Sequence, residues 1–408
     1  MAEKIVVIGA GQAGAWIARS AREAGFDGSI TMIGNEVHLP YERPPLSKDG
    51  LTCGEGAGYK PVFDAQEYAE MRIAVVTGEH VATIDREQRR VILESGRVYE
   101  YDKLAIATGG RARRPAFPGS DLPHVLKLRT LEDSAAIAAR LRDAQHAVIV
   151  GGGWIGLEVA ASARAHGVQT TVLEFADRVC ARSVPPRISD YLKHVHQQEG
   201  VNILLNTSVD RIDCLDDGRL SVVLAGSNTV LEPADVVVLG AGLIPNVELA
   251  AHAGLEIDNG IVVDQRGATS DPLIFAAGDV AATPLSWAGR RIRLESWANA
   301  QNQAIAVGRN MAGIATGYDD LPWVWSDQYD LNIQISGIFD AGKVEMIRGY
   351  PESNNFTLFQ TEGHRITAAV AVGNVKEAKL IKKLIKDRAE IDIEKFADMS
   401  NPIKQCML

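Results

Sequence analysis

Gly9, Gly11 and Gly14 stand in G-x-G-x-x-G spacing directly after the apolar run Ile5-Val6-Val7-Ile8. Gly151, Gly153 and Gly156 repeat that spacing after Ala147-Val148-Ile149-Val150. Each time a buried strand leads into a glycine turn and then into a helix-like stretch. Positions without side chains permit a tight turn, close approach of the backbone to a pyrophosphate, and close helix–strand packing, while the helix N-terminus faces the phosphate charge. An acidic residue belongs after the second strand of such a unit, where a carboxylate accepts hydrogen bonds from an adenosine ribose diol and repels a 2′-phosphate. Asn35-Glu36 occupy that place after the first motif and Glu174 after the second. Glu174 thus favours NADH over NADPH; Arg178 and Arg182, close behind, either soften the preference or are solvated. Two signatures in strand–turn–helix context weigh far more than one. Two dinucleotide sites in one chain point to a flavoprotein that takes hydride from a nicotinamide.

The flanking sequence supplies the elements that must present these loops. A strand over 4–8, a helix over 12–24, a stop at Gly25 and a strand over 29–33 make up the first unit. Glycine accepts the left-handed conformation that ends a helix. Leu39-Pro40-Tyr41-Glu42-Arg43-Pro44-Pro45-Leu46-Ser47-Lys48 is too proline-rich for a regular element. Alternation over 74–83 and 90–93 predicts a small antiparallel insertion, and Leu104-Ala105-Ile106-Ala107 returns as a buried strand ending at Thr108-Gly109-Gly110. After the loop 111–121, the second unit runs strand 147–150, helix 155–166, cap Gly167, strand 170–174 and closing strand 235–240. Ile274-Phe275-Ala276-Ala277-Gly278-Asp279 then reads as another strand of the first unit. It ends in a loop carboxylate at the C-terminal sheet edge, where nucleotides bind in open α/β sheets.

From Leu321 the character changes. Strands are expected at 332–336, 343–348, 356–360 and 365–372, then a lysine-rich helix over 375–387 with Val375, Ala378, Ile381 and Ile385 on one face. The expected fold is α/β: two Rossmann-like dinucleotide-binding domains, for FAD and NAD, plus a C-terminal α+β domain. Its boundaries are 1–115 with 242–320 for a discontinuous FAD domain, 116–241 for the NADH domain and 321–408 for the third.

The 408 residues suffice for two or three sizeable cores, and 46% hydrophobic with 23% charged residues is ordinary for a globular protein. A net charge of −10 argues against general nucleic-acid affinity. No apolar run approaches the roughly 20 residues of a membrane span. With the first strand beginning at once, the cytoplasm is the expected location. Cys53, Cys180, Cys214 and Cys406 form no close pair, so an adjacent redox disulfide is not expected; Cys53 alone lies near the proline-rich loop. The nine histidines show no ligand spacing, and no metal or iron–sulfur site is expected.

Beyond the glycine loops, Arg43-Pro44-Pro45-Leu46-Ser47-Lys48, Leu128-Arg129-Thr130-Leu131-Glu132-Asp133, Gly156-Leu157-Glu158, Gly242-Leu243-Ile244-Pro245-Asn246 and Pro322-Trp323-Val324-Trp325-Ser326-Asp327-Gln328 are distinctive. With these segments nearly the whole chain resembles the FAD-dependent ferredoxin reductases of bacterial oxygenase systems, within the glutathione-reductase-like superfamily. The resemblance implies FAD at the N-terminal site, NADH at the middle one, and single electrons passed to a [2Fe-2S] ferredoxin that supplies a terminal oxygenase of aromatic hydrocarbon catabolism. FAD contacts are implied at Gly9, Gly11, Ala13, Gly14, Arg43, Lys48, Val81, Thr108, Gly109, Arg129, Asp279 and Trp297, with either Asn35 or Glu36 at the ribose. NADH contacts are implied at Gly151, Gly153, Trp154, Ile155, Gly156, Glu158, Glu174 and Gly242.

Lys48 and Glu158 are implied as an ion pair beside the hydride-transfer locus. A lysine near the flavin ring stabilises negative charge developing on the reduced flavin, and Glu158 keeps the ammonium charged and oriented. On their residue types alone, a helix-start glutamate and a solvated loop lysine would serve as well. Trp154 is either an aromatic gate or packing against the strand below. Trp325 is implied near the ferredoxin-facing edge of the flavin. Lys376, Lys379, Lys382, Lys383 and Lys386 offer either a docking surface or a solvated face. Three rivals remain: a disulfide, peroxide or O2 reductase working through Cys53, a rubredoxin reductase, and a flavin-binding signalling protein.

Overall fold

The computed structural model describes residues 3–54, 56–227 and 229–408. They form two compact units, one of Met1–Glu42, Lys60–Arg111 and Ile244–Pro322, the other of Arg43–Tyr59, Ala112–Leu243 and Trp323–Leu408.

The first unit is built on a five-stranded parallel sheet, in the order Ile274–Ala276, Lys103–Ile106, Lys4–Ile8, Ser29–Ile33, Ile73–Val76. Ile5, Val7, Ala105 and Phe275 share one apolar core with Ile17 and Ala21 of the helix Gln12–Glu23. Val6, Ile8, Leu104 and Ile274 point to the other face and a second core. Strands buried on both faces read as continuous apolar runs, which is why these were legible. One expectation is corrected: Ile73–Val76 is the parallel edge of this sheet. Only Val81–Asp85, with Arg90–Leu93 and Val98–Glu100, forms the antiparallel insertion. Gly78, at φ 69°, turns the chain between the two.

In the second unit, a parallel sheet runs Val201–Leu204, Gln169–Leu173, His146–Val150, Val236–Leu239, Val125–Lys127. A five-stranded antiparallel sheet runs Trp323–Gln328, Leu331–Gly337, Arg365–Val372, Asn355–Glu362, Glu345–Tyr350. A single core joins Ile149, Leu157 and Val236 of the former to Ile333, Leu358 and Val370 of the latter. This shared core packs the residues from Trp323 onward into the second unit. Arg43–Tyr59, expected with the first domain, also belongs here. Its prolines do not prevent structure: Pro44–Ser47 is a 3-10 turn with proline at its start, followed by the single helical turn Asp49–Thr52. The terminal helix Val375–Lys386 buries Ala378, Ile381, Leu384 and Ile385, whereas Val375, expected on that face, is exposed. No described helix is long and apolar enough to cross a membrane.

Candidate functional site

The two glycine loops are the same device built twice. A Cβ on Gly9 (φ 110°) would lie 2.2 Å from the Ala107 carbonyl oxygen, and one on Gly151 (φ 117°) 2.4 Å from that of Gly240. At the third glycine, a Cβ on Gly14 or Gly156 would fall 1.9 Å or 2.0 Å from the carbonyl oxygen of Gly9 or Gly151. The middle glycines differ in kind, because beside Gly11 and Gly153 nothing stands within 4 Å of an added Cβ. First and third positions are glycine for packing; the middle one leaves open space for a ligand.

Both following helices, Gln12–Glu23 and Trp154–Ala165, start without a side-chain cap and without an acidic residue in the first turn. Elsewhere Asp64, Thr130, Ser296 and Asn374 cap their helices. Helix N-termini with no side-chain cap and no acidic residue in their own first turn suit an anion. Two dinucleotide pyrophosphates, of FAD and of NAD(H), fit these cradles.

Around the first loop, a Cβ on Gly278 would come 2.9 Å from Ala13, so the loop bearing Asp279 packs directly on the helix start. Asp279 is half-buried and its carbonyl accepts from Arg293 at 3.1 Å. The Trp297 indole can donate to the Gln12 side-chain oxygen at 3.3 Å. Thr108 and Asn246 clasp each other, with Thr108 Oγ1 donating to the Asn246 carbonyl at 2.8 Å and Asn246 Nδ2 to the Thr108 carbonyl at 2.9 Å. Gly109 accepts from the Asn246 amide at 3.0 Å. Asn35 is exposed, whereas Glu36 is half-buried and accepts from the Tyr41 hydroxyl. Val81 is half-buried at the rim of the apolar core.

Glu174 braces the second loop. One carboxylate oxygen accepts from the Gly152 amide at 2.6 Å and the other from Ala176 at 2.7 Å. Arg178 is committed to the carbonyls of Val184 and Ala181 and to the Ser189 hydroxyl, whereas Arg182 is exposed. Trp154 packs partly buried against the core, and Ile155 is exposed. Gly242 takes φ 96°, and its carbonyl accepts from Arg113 at 2.8 Å. The Arg43 guanidinium donates to the Arg129 carbonyl, and the Arg129 amide donates to Asp133 at 2.9 Å.

At the centre of the second unit, the Lys48 ammonium lies 2.9 Å from Glu158, whose side chain is 4% exposed. Glu158 is not a helix-start residue in solvent but a buried carboxylate with three donors. Lys48 and the Ser47 hydroxyl reach one oxygen, and the Ser326 hydroxyl reaches the other at 2.6 Å. Ser326 belongs to the strand Trp323–Gln328, where successive side chains alternate faces. Its neighbour Trp325 therefore points away from Glu158 and stacks on Trp323 at 5.1 Å between ring centroids. The Lys382 ammonium caps that stack 3.9 Å from the Trp323 ring, and Lys383 pairs with Asp387. Cys53 is exposed; Cys180 is buried beneath the second loop with its thiol pushed far up by burial and the Glu174 charge.

Residues 3–304 match the pyridine nucleotide-disulphide oxidoreductase family and residues 323–407 the reductase C-terminal domain. The chain belongs to this family. It is 39% identical to the ferredoxin--NAD(+) reductase component of the p-cumate 2,3-dioxygenase system of Pseudomonas putida, over 99% of this chain and 98% of that one. It resembles the crystal structure of the ferredoxin reductase for the CYP199A2 system from Rhodopseudomonas palustris, with a TM-score of 0.94, 38% identity and 100% coverage of both chains. The covalent putidaredoxin reductase–putidaredoxin complex matches with a TM-score of 0.93 and 35% identity, over 99% of this chain and 98% of that one.

For this oxidoreductase, sequence reasoning missed the hydroxyls of Ser47 and Ser326 on Glu158, and the Asn246 clasp on Thr108. Both serines lie inside segments already singled out, but a serine carries no signal of which acceptor it meets. Alternation in Val324, Ser326 and Gln328, opposite two tryptophans, was the available hint that a polar strand face is buried.

Proposed function

We propose that this chain is the NADH-dependent, FAD-containing ferredoxin reductase of a bacterial oxygenase system. It takes hydride from NADH and passes electrons singly to a [2Fe-2S] ferredoxin, which supplies a terminal oxygenase of aromatic catabolism. The observation that carries the reading is a pyridine nucleotide-disulphide oxidoreductase scaffold whose four cysteines are all free thiols. Without a cysteine pair to receive them, the electrons pass in this reading to a docked protein acceptor. When bound, FAD would accept one hydride from NADH and give up its two electrons singly.

The chain's own groups bind and orient. In this reading the loop from Gly9 to Gly14, with Ala13, Val81, Thr108, Gly109, Asp279 and Trp297, holds FAD. The loop from Gly151 to Gly156, with Glu174 and Gly242, holds NADH. Lys48, fixed by Glu158, supplies positive charge where hydride transfer builds negative charge. Between Asn35 and Glu36, the half-buried Glu36 carboxylate is the better ribose acceptor. Trp154 acts as a packing residue. Unpaired thiols suit the cytoplasm, where we place the enzyme.

Two half-reactions in stopped flow test the assignment. NADH bleaches the flavin, and the reduced enzyme then reduces a [2Fe-2S] ferredoxin. Trp325→Ala slows the second step and spares the first. Electron delivery to a disulfide or peroxide that is abolished by Cys53→Ser, with no ferredoxin reduction, would overturn it.

A further inference from the structure

Beyond Ser326 the polar contacts continue through groups that no step above uses. Gln328, 2% exposed, places Nε2 3.0 Å from the Ser326 hydroxyl oxygen. Its Oε1 lies 2.8 Å from Nε2 of His196, a residue with no exposed surface on the helix Pro186–Gln198. The other ring nitrogen, Nδ1, lies 2.8 Å from the Tyr329 hydroxyl. All five residues belong to the second unit.

Hydrogen-bonding capacity fixes the direction of every link. A serine hydroxyl has one proton, and that of Ser326 is directed at the Glu158 carboxylate, which can only accept. Ser326 must therefore accept from Gln328, which puts the amide NH2 on the serine and the amide oxygen on His196. His196 then donates through Nε2–H. Burial pulls its pKa down to about 4, against the opposing Gln328 hydrogen bond, so near neutrality Nδ1 is bare and accepts from Tyr329. Burial together with the Glu199 charge raises the Tyr329 phenol, which stays a donor.

From Tyr329 to Glu158 all four hydrogen bonds point the same way. Such aligned bonds polarise one another. The far end is built at a cost: Tyr329 sits at φ 52°, a left-handed conformation that a bulky residue seldom takes, in the turn between Trp323–Gln328 and Leu331–Gly337. That conformation carries its ring edge-on to His196 at 5.1 Å.

We infer that Ser326, Gln328, His196 and Tyr329 are positioning residues that hold the Glu158 carboxylate, and through it the Lys48 ammonium, by a one-way hydrogen-bond chain. It orients rather than conducts, because the Gln328 amide does not hand a proton on. The inference rests on the assignment of Lys48 and Glu158 to hydride transfer.

Two measurements on the flavin-loaded enzyme test it. In 15N-histidine NMR at neutral pH, the His196 signal, identified by its loss in His196→Gln, should show the neutral Nε2–H tautomer. An Nδ1–H tautomer or an imidazolium would overturn the donor order. In single-turnover flavin reduction by NADH, Ser326→Ala should be about tenfold slower, as expected for losing one hydrogen bond to a charged group. Ser326→Thr, which keeps the hydroxyl, should recover most of the rate, and Tyr329→Phe should show a smaller loss. Glu158→Gln/Ser326→Ala should be no slower than Glu158→Gln alone, because Ser326 acts only through Glu158. Full additivity, or an unchanged rate in Ser326→Ala beside a slow Glu158→Gln, would sink the positioning role. An unchanged rate in Glu158→Gln would overturn the site assignment itself.

Discussion

Among the described residues, the first unit buries Ser20, Thr283, Asn299, Gln303 and one charged side chain, that of Arg293 at 8% exposure, whereas the second buries four ionisable residues, His146, Glu158, His196 and Arg348. The glycine loops of the two units are near copies, down to the backbone oxygen that crowds each first glycine. Burying an ionisable group is costly unless it is paired and hydrogen-bonded, and each of the four has partners. Arg348, for example, spreads its guanidinium over Glu377 and the carbonyls of Phe396, Asp398 and Asn401. A shared binding device has thus been set in two different interiors. Both present backbone groups to a ligand; the second adds a buried ion pair, Lys48 with Glu158, that can act on a reaction.

Breaking the shared device gives the largest expected effect, and it should differ between the units. Ala at position 9 or 151 meets a backbone oxygen and a positive φ, which alone costs about 1–3 kcal/mol. Gly9→Ala should purify without flavin. Gly151→Ala should stay yellow and need about a hundredfold more NADH for half-maximal flavin reduction. Equal flavin loss in both variants would mean that the loops do not serve separate ligands.

That duplication was legible because each loop follows a continuous apolar strand and uses glycine where sterics demand it. Edges were less legible. Ile73–Val76 looks like part of a hairpin until Gly78 turns the chain, and no local pattern distinguishes a parallel edge strand from an insertion. The core shared by Leu157 and Leu358 was also hidden, since it leaves no trace in either segment. Lys48 and Glu158 were named only through family resemblance, and nothing local marks them as partners across 110 residues of chain. His196 had a readable signal that went unused: it continues the buried i, i+4 series of Ile188 and Leu192, a polar side chain at an apolar helical position.

The buried neutral imidazole of His196 makes the second unit sensitive to acid. The His196 pKa falls from 6.5 to about 4 on burial. A group depressed in the folded state contributes stability above its unfolded pKa, and that stability is lost as pH falls from about 6.5 towards 4. Between pH 7 and pH 5 this amounts to about 2 kcal/mol. Urea unfolding of the enzyme at both pH values should show that loss, and His196→Gln should remove it while lowering stability at pH 7. A loss of the same size in His196→Gln would assign the acid sensitivity elsewhere.

The smallest expected effect concerns the carboxylates that follow the two loops. Glu36 accepts a side-chain hydroxyl, whereas Glu174 accepts two backbone amides, from Gly152 and Ala176, and so ties its charge to the loop itself. Arg178, the nearest cation in sequence, is spent on Val184, Ser189 and Ala181 and has little left for a 2′-phosphate. The second loop should therefore discriminate against NADPH by charge repulsion and by the geometry of a ribose-diol acceptor together. In Glu174→Gln the repulsion is gone, and the NH2 that replaces one oxygen cannot accept from the backbone donor facing it. The ratio of kcat/KM for NADH to that for NADPH should fall by at least about tenfold, or ~1.4 kcal/mol. Steady-state kinetics with both nucleotides decides the point. If the NADH rate drops while the ratio stays fixed, Glu174 braces the loop without reading the ribose, and the specificity lies with another group.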